Sequence, residues 1–183
     1  MPHVRFFIAL VPPQPIQDYA SDVIQSLGDR YRTGVSKAPP HVTLQPPFEW
    51  DTLQQHTLEA CLSDFVTQQR VVPVQLSGFG SFPPRVLYIN VLKTPSLLHL
   101  QAALMATLET QLGIVDPKSK QRPFSPHLTV ASRNVTRQTF KQAWEELRSR
   151  SVEFEWVSDR ITLLIHTGHH WQVEREFPLV VNR

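Results

Sequence analysis

Two tetrapeptides carry the clearest chemical potential in this chain, His41-Val42-Thr43-Leu44 and His127-Leu128-Thr129-Val130, each preceded by a proline, Pro40 and Pro126. The sequence has 8 His and 13 Thr in 183 residues. Chance then gives ~0.6 His-x-Thr matches, and ~0.1 once both flanking positions must be apolar. Side chains two apart on a strand share a face. His41 and Thr43 therefore point one way while Val42 and Leu44 enter a core, and His127 and Thr129 repeat the arrangement. An imidazole titrates near ~6.5, so one of two facing rings can serve as base and the other as acid near neutrality. Threonine hydroxyls with restricted χ1 can donate to the non-bridging oxygens of a phosphate, on which negative charge grows in a transition state. Such chemistry calls for no metal and no covalent intermediate, and no cofactor is expected.

These motifs must be positioned by the elements around them. Residues 4–11 (VRFFIALV) read as a strand, ended by Pro12-Pro13. Ile16, Tyr19, Ala20, Val23 and Leu27 recur at helical spacing, with Gly28 as the expected stop. A basic loop leads to the strand HVTLQPPF. Leu58, Cys61, Leu62 and Phe65 mark a helix within 52–68, and 71–79 reads as a strand whose Pro73 suggests an edge or a bulge. The order then repeats. Residues 85–92 (RVLYINVL) form a strand, and Pro95 opens a helix with a stripe of Leu97, Leu100, Leu104, Leu108 and Leu112 ending at Gly113. A second basic loop leads to HLTVAS. Phe140, Ala143, Trp144 and Leu147 then mark a helix capped by Asn134 or Thr136. Strands at 152–157, 160–166 and 170–177 close the chain, the last two as a hairpin across Thr167-Gly168-His169.

The first strand matches the 85–92 strand at an offset of 80 residues, and the two histidines match at 86. We expect an α+β fold made by duplication, its two lobes facing each other across a central cleft that carries the two His-x-Thr motifs. Residues 1–183 would form one two-lobed domain, with copies at 3–80 and 84–158, each copy one lobe, and a hairpin at 159–178.

Composition bounds the possibilities. With 41% hydrophobic residues, ten Phe and four Trp, the chain can pack a sizeable core. A formal charge of +2 suits an anionic small substrate but is too weak for a strong nucleic-acid binder. One cysteine excludes an internal disulfide framework and a thiolate metal cluster. The opening MPHVRFFIALVPPQP lacks the features of a signal peptide, and no stretch reaches the ~18 apolar residues of a membrane span. We expect a cytoplasmic monomer with no membrane partner.

RFFIALVPP, LYINVLKTPSLLHLQAAL, SPHLTVASR and ITLLIHTG…VEREFPL resemble, nearly end to end, the two-histidine phosphoesterases, in the branch of 2'-5' RNA ligases and RNA 2',3'-cyclic phosphodiesterases. The resemblance implies two lobes built of antiparallel sheets flanked by helices, with the motifs lining the cleft between them. It implies RNA ends or nucleotide cyclic phosphates as substrates, opened to 2'-phosphates, with weak joining of RNA ends as related chemistry. Under it, His127 would be the base that activates water, His41 the acid that protonates the departing 3'-oxygen, and Thr43 and Thr129 the phosphate holders. Related readings are another cyclic phosphate such as that of ADP-ribose, a 2'-5' linkage, or a catalytically poor RNA-end-binding module. Many family members carry a basic residue where this chain has Ser132. The arginine comes one later, so Arg133 could contact phosphate only if a bulge or a strand end re-aims it.

Other residues have blander readings. Arg30, Arg32 and Lys37, and Lys118, Lys120 and Arg122, stand in the loops ahead of the motifs, either steering an anion or simply solvated. Phe48 and Phe124 belong to the core before they belong to a base-stacking surface. His166, His169 and His170 lack the partners of a metal site, and Cys61 reads as core.

Overall fold

The computed structural model describes residues 2–181. Its elements run β1 (His3–Leu10), α1 (Gln14–Tyr31), β2 (Val42–Asp51), a 3-10 turn (Thr52–Gln54), α2 (Gln55–Val66), β3 (Val72–Phe82), β4 (Val86–Val91), α3 (Pro95–Leu112), β5 (His127–Ala131), α4 (Arg137–Leu147), β6 (Glu153–Ser158), β7 (Arg160–His166) and β8 (Trp171–Pro178). They build two four-stranded antiparallel sheets, ordered β2-β1-β7-β8 and β5-β4-β3-β6.

The sheets are not the two contiguous copies expected from the sequence. β3, the end of the first copy, lies between β4 and β6 in the second sheet, and the β7–β8 hairpin completes the first. The short link from β3 to β4 makes the two strands antiparallel neighbours, so the chain crosses between lobes before the second copy begins. The offset of 80 residues is also corrected. Thr43 pairs with Ala9 and Thr129 with Tyr88, so the strands correspond at one residue less. A one-residue slip would have put a core face where the cleft face belongs.

Alternation sorts the β1 side chains. Phe6, Ile8 and Leu10 enter the main core, while Phe7 and Ala9 join Leu164 in a smaller cluster with Ala38 and Trp171. The main core is continuous: it takes Val42 and Leu44 from the first sheet, Leu87, Ile89, Leu128 and Val130 from the second, and the apolar stripes of α1 to α4. The two lobes therefore share one interior.

Helix ends show which local signals prevailed. Gly28 does not stop α1; the helix continues to Tyr31, and Arg32 caps it in the left-handed region at φ 56, its N–H donating to Gly28 O. Interior glycine costs a helix only ~1 kcal/mol, so packing carried the helix past it. Thr94 caps α3, with Gly113 at φ 68 as its stop, and Thr136 caps α4 through a reciprocal capping box with Thr139. Pro73 is tolerated on an inner strand because at that point only β6 runs alongside β3. Among the described residues no helix is long and apolar enough to cross a membrane.

Candidate active site

β2 and β5 are the outer strands of their sheets and lie against each other. Each begins at its His-x-Thr motif, so the edges bring the motifs together. A pocket of about 320 Å³ opens there. Its lining includes His41, Thr43, Thr129 and Arg133, together with Phe7, Lys37 and Trp171. His127 does not line the pocket itself; its ring packs on Phe82 at 5.0 Å and Tyr88 at 5.2 Å between centroids.

The two imidazoles are held alike. His41 Nδ1 lies 2.7 Å from Pro39 O, and His127 Nδ1 lies 2.7 Å from Ser125 O. A carbonyl only accepts, so Nδ1 carries the proton in each neutral ring and Nε2 keeps its lone pair. The prolines before the motifs have a local purpose: Pro40 and Pro126 restrict the preceding residues to extended conformations, the setting in which each carbonyl meets the ring two residues on. Burial pushes both imidazoles below their ordinary range, partly opposed by these backbone hydrogen bonds. His41 is lowered further by the charge of His127, so each ring's proton bears on the other.

Arg133 reaches the pocket because β5 contains a register shift between Thr129 and Ala131, opposite Tyr88 and Leu87, and ends directly afterwards. The Gly34 N–H donates to Arg133 O at 2.8 Å, tying the loop ahead of His41 to the residue beyond the second motif. Gly34 is needed for this approach: a Cβ there would stand 2.7 Å from Arg133 Cβ. The same loop is tied at its other end, where the Trp171 N–H donates to Lys37 O at 2.7 Å.

Several sequence expectations fall elsewhere. Arg30 pairs with Glu146, linking α1 to α4, and Lys120 pairs with Glu109. Of the six loop cations only Lys37 lines the pocket. Phe48 and Phe124 pack against the main core. His169 and His170 sit in the exposed β7–β8 loop, and no group of three or more His, Cys, Asp or Glu among the described residues could hold a metal. The residue that sequence reasoning missed is Trp171. Its only signal was its place at the start of the closing strand, and long-range pairing of β8 through β7 to β1 brings it beside Phe7, 4.7 Å between ring centroids.

The model of the 2'-5' RNA ligase superfamily matches residues 2–170. The chain belongs to that superfamily. This superfamily member is 30% identical over 177 residues to a protein of Geobacillus sp. (strain WCH70) assigned only by name as a phosphoesterase, covering 95% of each chain. It is 29% identical over 179 residues to a similarly named protein of Bacillus cytotoxicus, covering 96% of this chain and 97% of that one. Among solved structures it resembles TT0787 of Thermus thermophilus, with a TM-score of 0.71 at 20% identity, covering 98% and 100% of the two chains. It also resembles E. coli LigT in its apo form, with a TM-score of 0.66 at 18% identity, covering 98% and 99%. These structural likenesses establish the superfamily's two-lobed α+β fold for the whole described chain.

Proposed function

We propose that this protein opens 2',3'-cyclic phosphates at RNA ends or on nucleotides to 2'-phosphates, by acid–base catalysis from His127 and His41 and without a metal. The observation that carries the reading is the matched pair of Nδ1–H to carbonyl hydrogen bonds, which leaves Nε2 of each ring with its lone pair, His41 in the lining of the pocket with Thr43 and Thr129 and His127 two residues from Thr129 on the facing edge strand. Superfamily membership supports it, as does the fold shared with LigT, whose solved complexes include 3'-AMP and phosphate.

His127 Nε2 takes a proton from water as the water oxygen bonds to phosphorus. The bond from phosphorus to the ribose 3'-oxygen breaks, and His41 Nε2 gives that oxygen its proton. The Thr43 and Thr129 hydroxyls donate to the non-bridging oxygens, and Arg133 balances their charge. The roles of base and acid follow the family resemblance. Burial alone would leave His41 neutral; the negative charge of a phosphate seated beside it restores its proton.

The test is incubation with an RNA oligonucleotide ending in a 2',3'-cyclic phosphate, in excess EDTA, with the 2'- and 3'-phosphate products resolved. A 2'-phosphate product is expected. A 3'-phosphate would reverse the choice of leaving oxygen. Activity abolished by EDTA and restored by a divalent metal would overturn the metal-free reaction, and binding of the oligonucleotide with an intact cyclic end would make the cleft a binding module.

A further inference from the structure

Five basic side chains form ion pairs: Arg30 with Glu146, Lys120 with Glu109, Arg148 with Glu145, Arg160 with Asp159 and Glu176, and Arg175 with Glu59. None of these lines the pocket. What sets another group of cations apart is where they stand. Lys37 and Arg133 are in its lining, which includes no acidic residue. Arg5 lies on the same face of β1 as the lining residue Phe7, its guanidinium 5.6 Å from the centroid of the Trp171 ring. Among the described residues none of the three has a carboxylate partner.

Two of the three line the pocket together with Trp171, and the third stands over the Trp171 ring. Trp171 is fixed to Lys37 through its backbone N–H, and its ring meets His166 edge to face at 4.9 Å. Desolvation, and then the charges of Arg5, Lys37 and Arg133, hold the His166 imidazole below its ordinary range. Arg5, Lys37 and Arg133 therefore all act on a single ring beside Trp171.

A cyclic phosphate diester carries one negative charge, which Arg133 and a protonated His41 already balance at the two threonines. Lys37 and Arg5 are left over. Unpaired cations held in one corner of a cleft raise the local concentration of anions and favour a ligand that brings a second one. We propose that the Trp171 corner, with Lys37 and Arg5, is a subsite for a second phosphoryl group, the one on the 5'-oxygen of the ribose whose cyclic phosphate reacts. That group is either the internucleotide diester of an RNA end or the terminal 5'-phosphate of a mononucleotide. The inference rests on the proposed reaction for the placement of the first phosphate.

Three substrates test it: a nucleoside 2',3'-cyclic phosphate with a free 5'-hydroxyl, the same compound with a 5'-phosphate, and a dinucleotide with a terminal cyclic phosphate. The expected kcat/KM is about tenfold or more higher for the two phosphoryl-bearing substrates at low ionic strength, and the gain shrinks as salt rises. The larger gain of the two identifies the natural source of the group. In Arg5→Gln and in Lys37→Gln the ratio to the 5'-hydroxyl substrate falls toward one. A wild-type ratio near one, or a gain that survives in both variants, overturns the subsite.

Failure of the reaction itself is distinguishable by calorimetry. If no substrate turns over, a nucleoside 3',5'-bisphosphate should still bind about tenfold or more tighter than the 3'-monophosphate. Arg5→Gln should cancel that difference. Equal affinities in the wild-type protein would overturn the subsite independently of catalysis.

Discussion

The His41 ring packs on Phe7 with a centroid separation of 4.7 Å, and Trp171 stands beyond Phe7, held by a loop strapped to both lobes. The His127 ring packs instead between Phe82 and Tyr88, and Tyr88 lies directly over Gly80, where a Cβ would come within 2.3 Å of its ring. Both rings keep the same Nδ1 hydrogen bond to the carbonyl two residues back. The short-range wiring thus belongs to the motif, whereas the walls belong to whichever strands pairing brings alongside. Arg5 and Lys37, the cations nearest Trp171, belong to the His41 half, so the two halves differ in what part of a ligand they can meet.

The largest effect tests whether the halves are equal partners. His41→Ala and His127→Ala should each lose about 10²-fold or more in turnover of a cyclic phosphate, with circular dichroism and melting unchanged in form. An ordinary rate in either variant would reduce the pair to a single working histidine. The threonines come next. Thr43→Val and Thr129→Val keep the strand shape and remove one donor to a charged oxygen, a loss of about 10- to 100-fold. Comparable losses in single-turnover assays keep the phosphate centred between the motifs; a loss from one side only would move it.

Two glycines probe the walls. Gly34→Ala presses on Arg133 Cβ and Gly80→Ala on the Tyr88 ring, and a misplacement of about 1 Å costs up to about 10²-fold in rate, less where the neighbour gives way. Gly34→Ala is expected to act mainly on KM through Arg133, and Gly80→Ala mainly on kcat through His127. Steady-state kinetics on both variants separates the two; identical patterns would mean that both merely loosen the cleft.

Much of this site was legible in advance because it is local. A His-x-Thr pair on alternating strand positions announces its face, and the preceding proline lies within the same few residues. The helix stripes and the Thr136 cap are equally local. What could not be read depended on contacts distant in sequence: β3 joining the second sheet, β8 delivering Trp171, and Gly34 meeting Arg133. Arg133 itself needed the register shift in β5, which no residue type advertises. The basic loops misled for the same reason, since Glu146 and Glu109, which pair with Arg30 and Lys120, lie on helices outside those loops.

The smallest expected effect is the most direct on how the halves communicate. Burial lowers both imidazoles, and His127's charge lowers His41 further. In the free enzyme a proton on one ring therefore disfavours a proton on the other, and the form with one proton is populated on the acid side of ~6.5. The profile of kcat/KM, which reports the free enzyme, should be bell-shaped with its maximum there. Replacing His127 by glutamine removes its charge but keeps a polar side chain of similar reach. NMR titration of the His41 ring in His127→Gln should then show its pKa rising toward the ordinary value, stopping short because burial remains. An unmoved His41 would mean that the two rings do not sense each other. The base and acid would then have to be sought within one half of the cleft rather than across it.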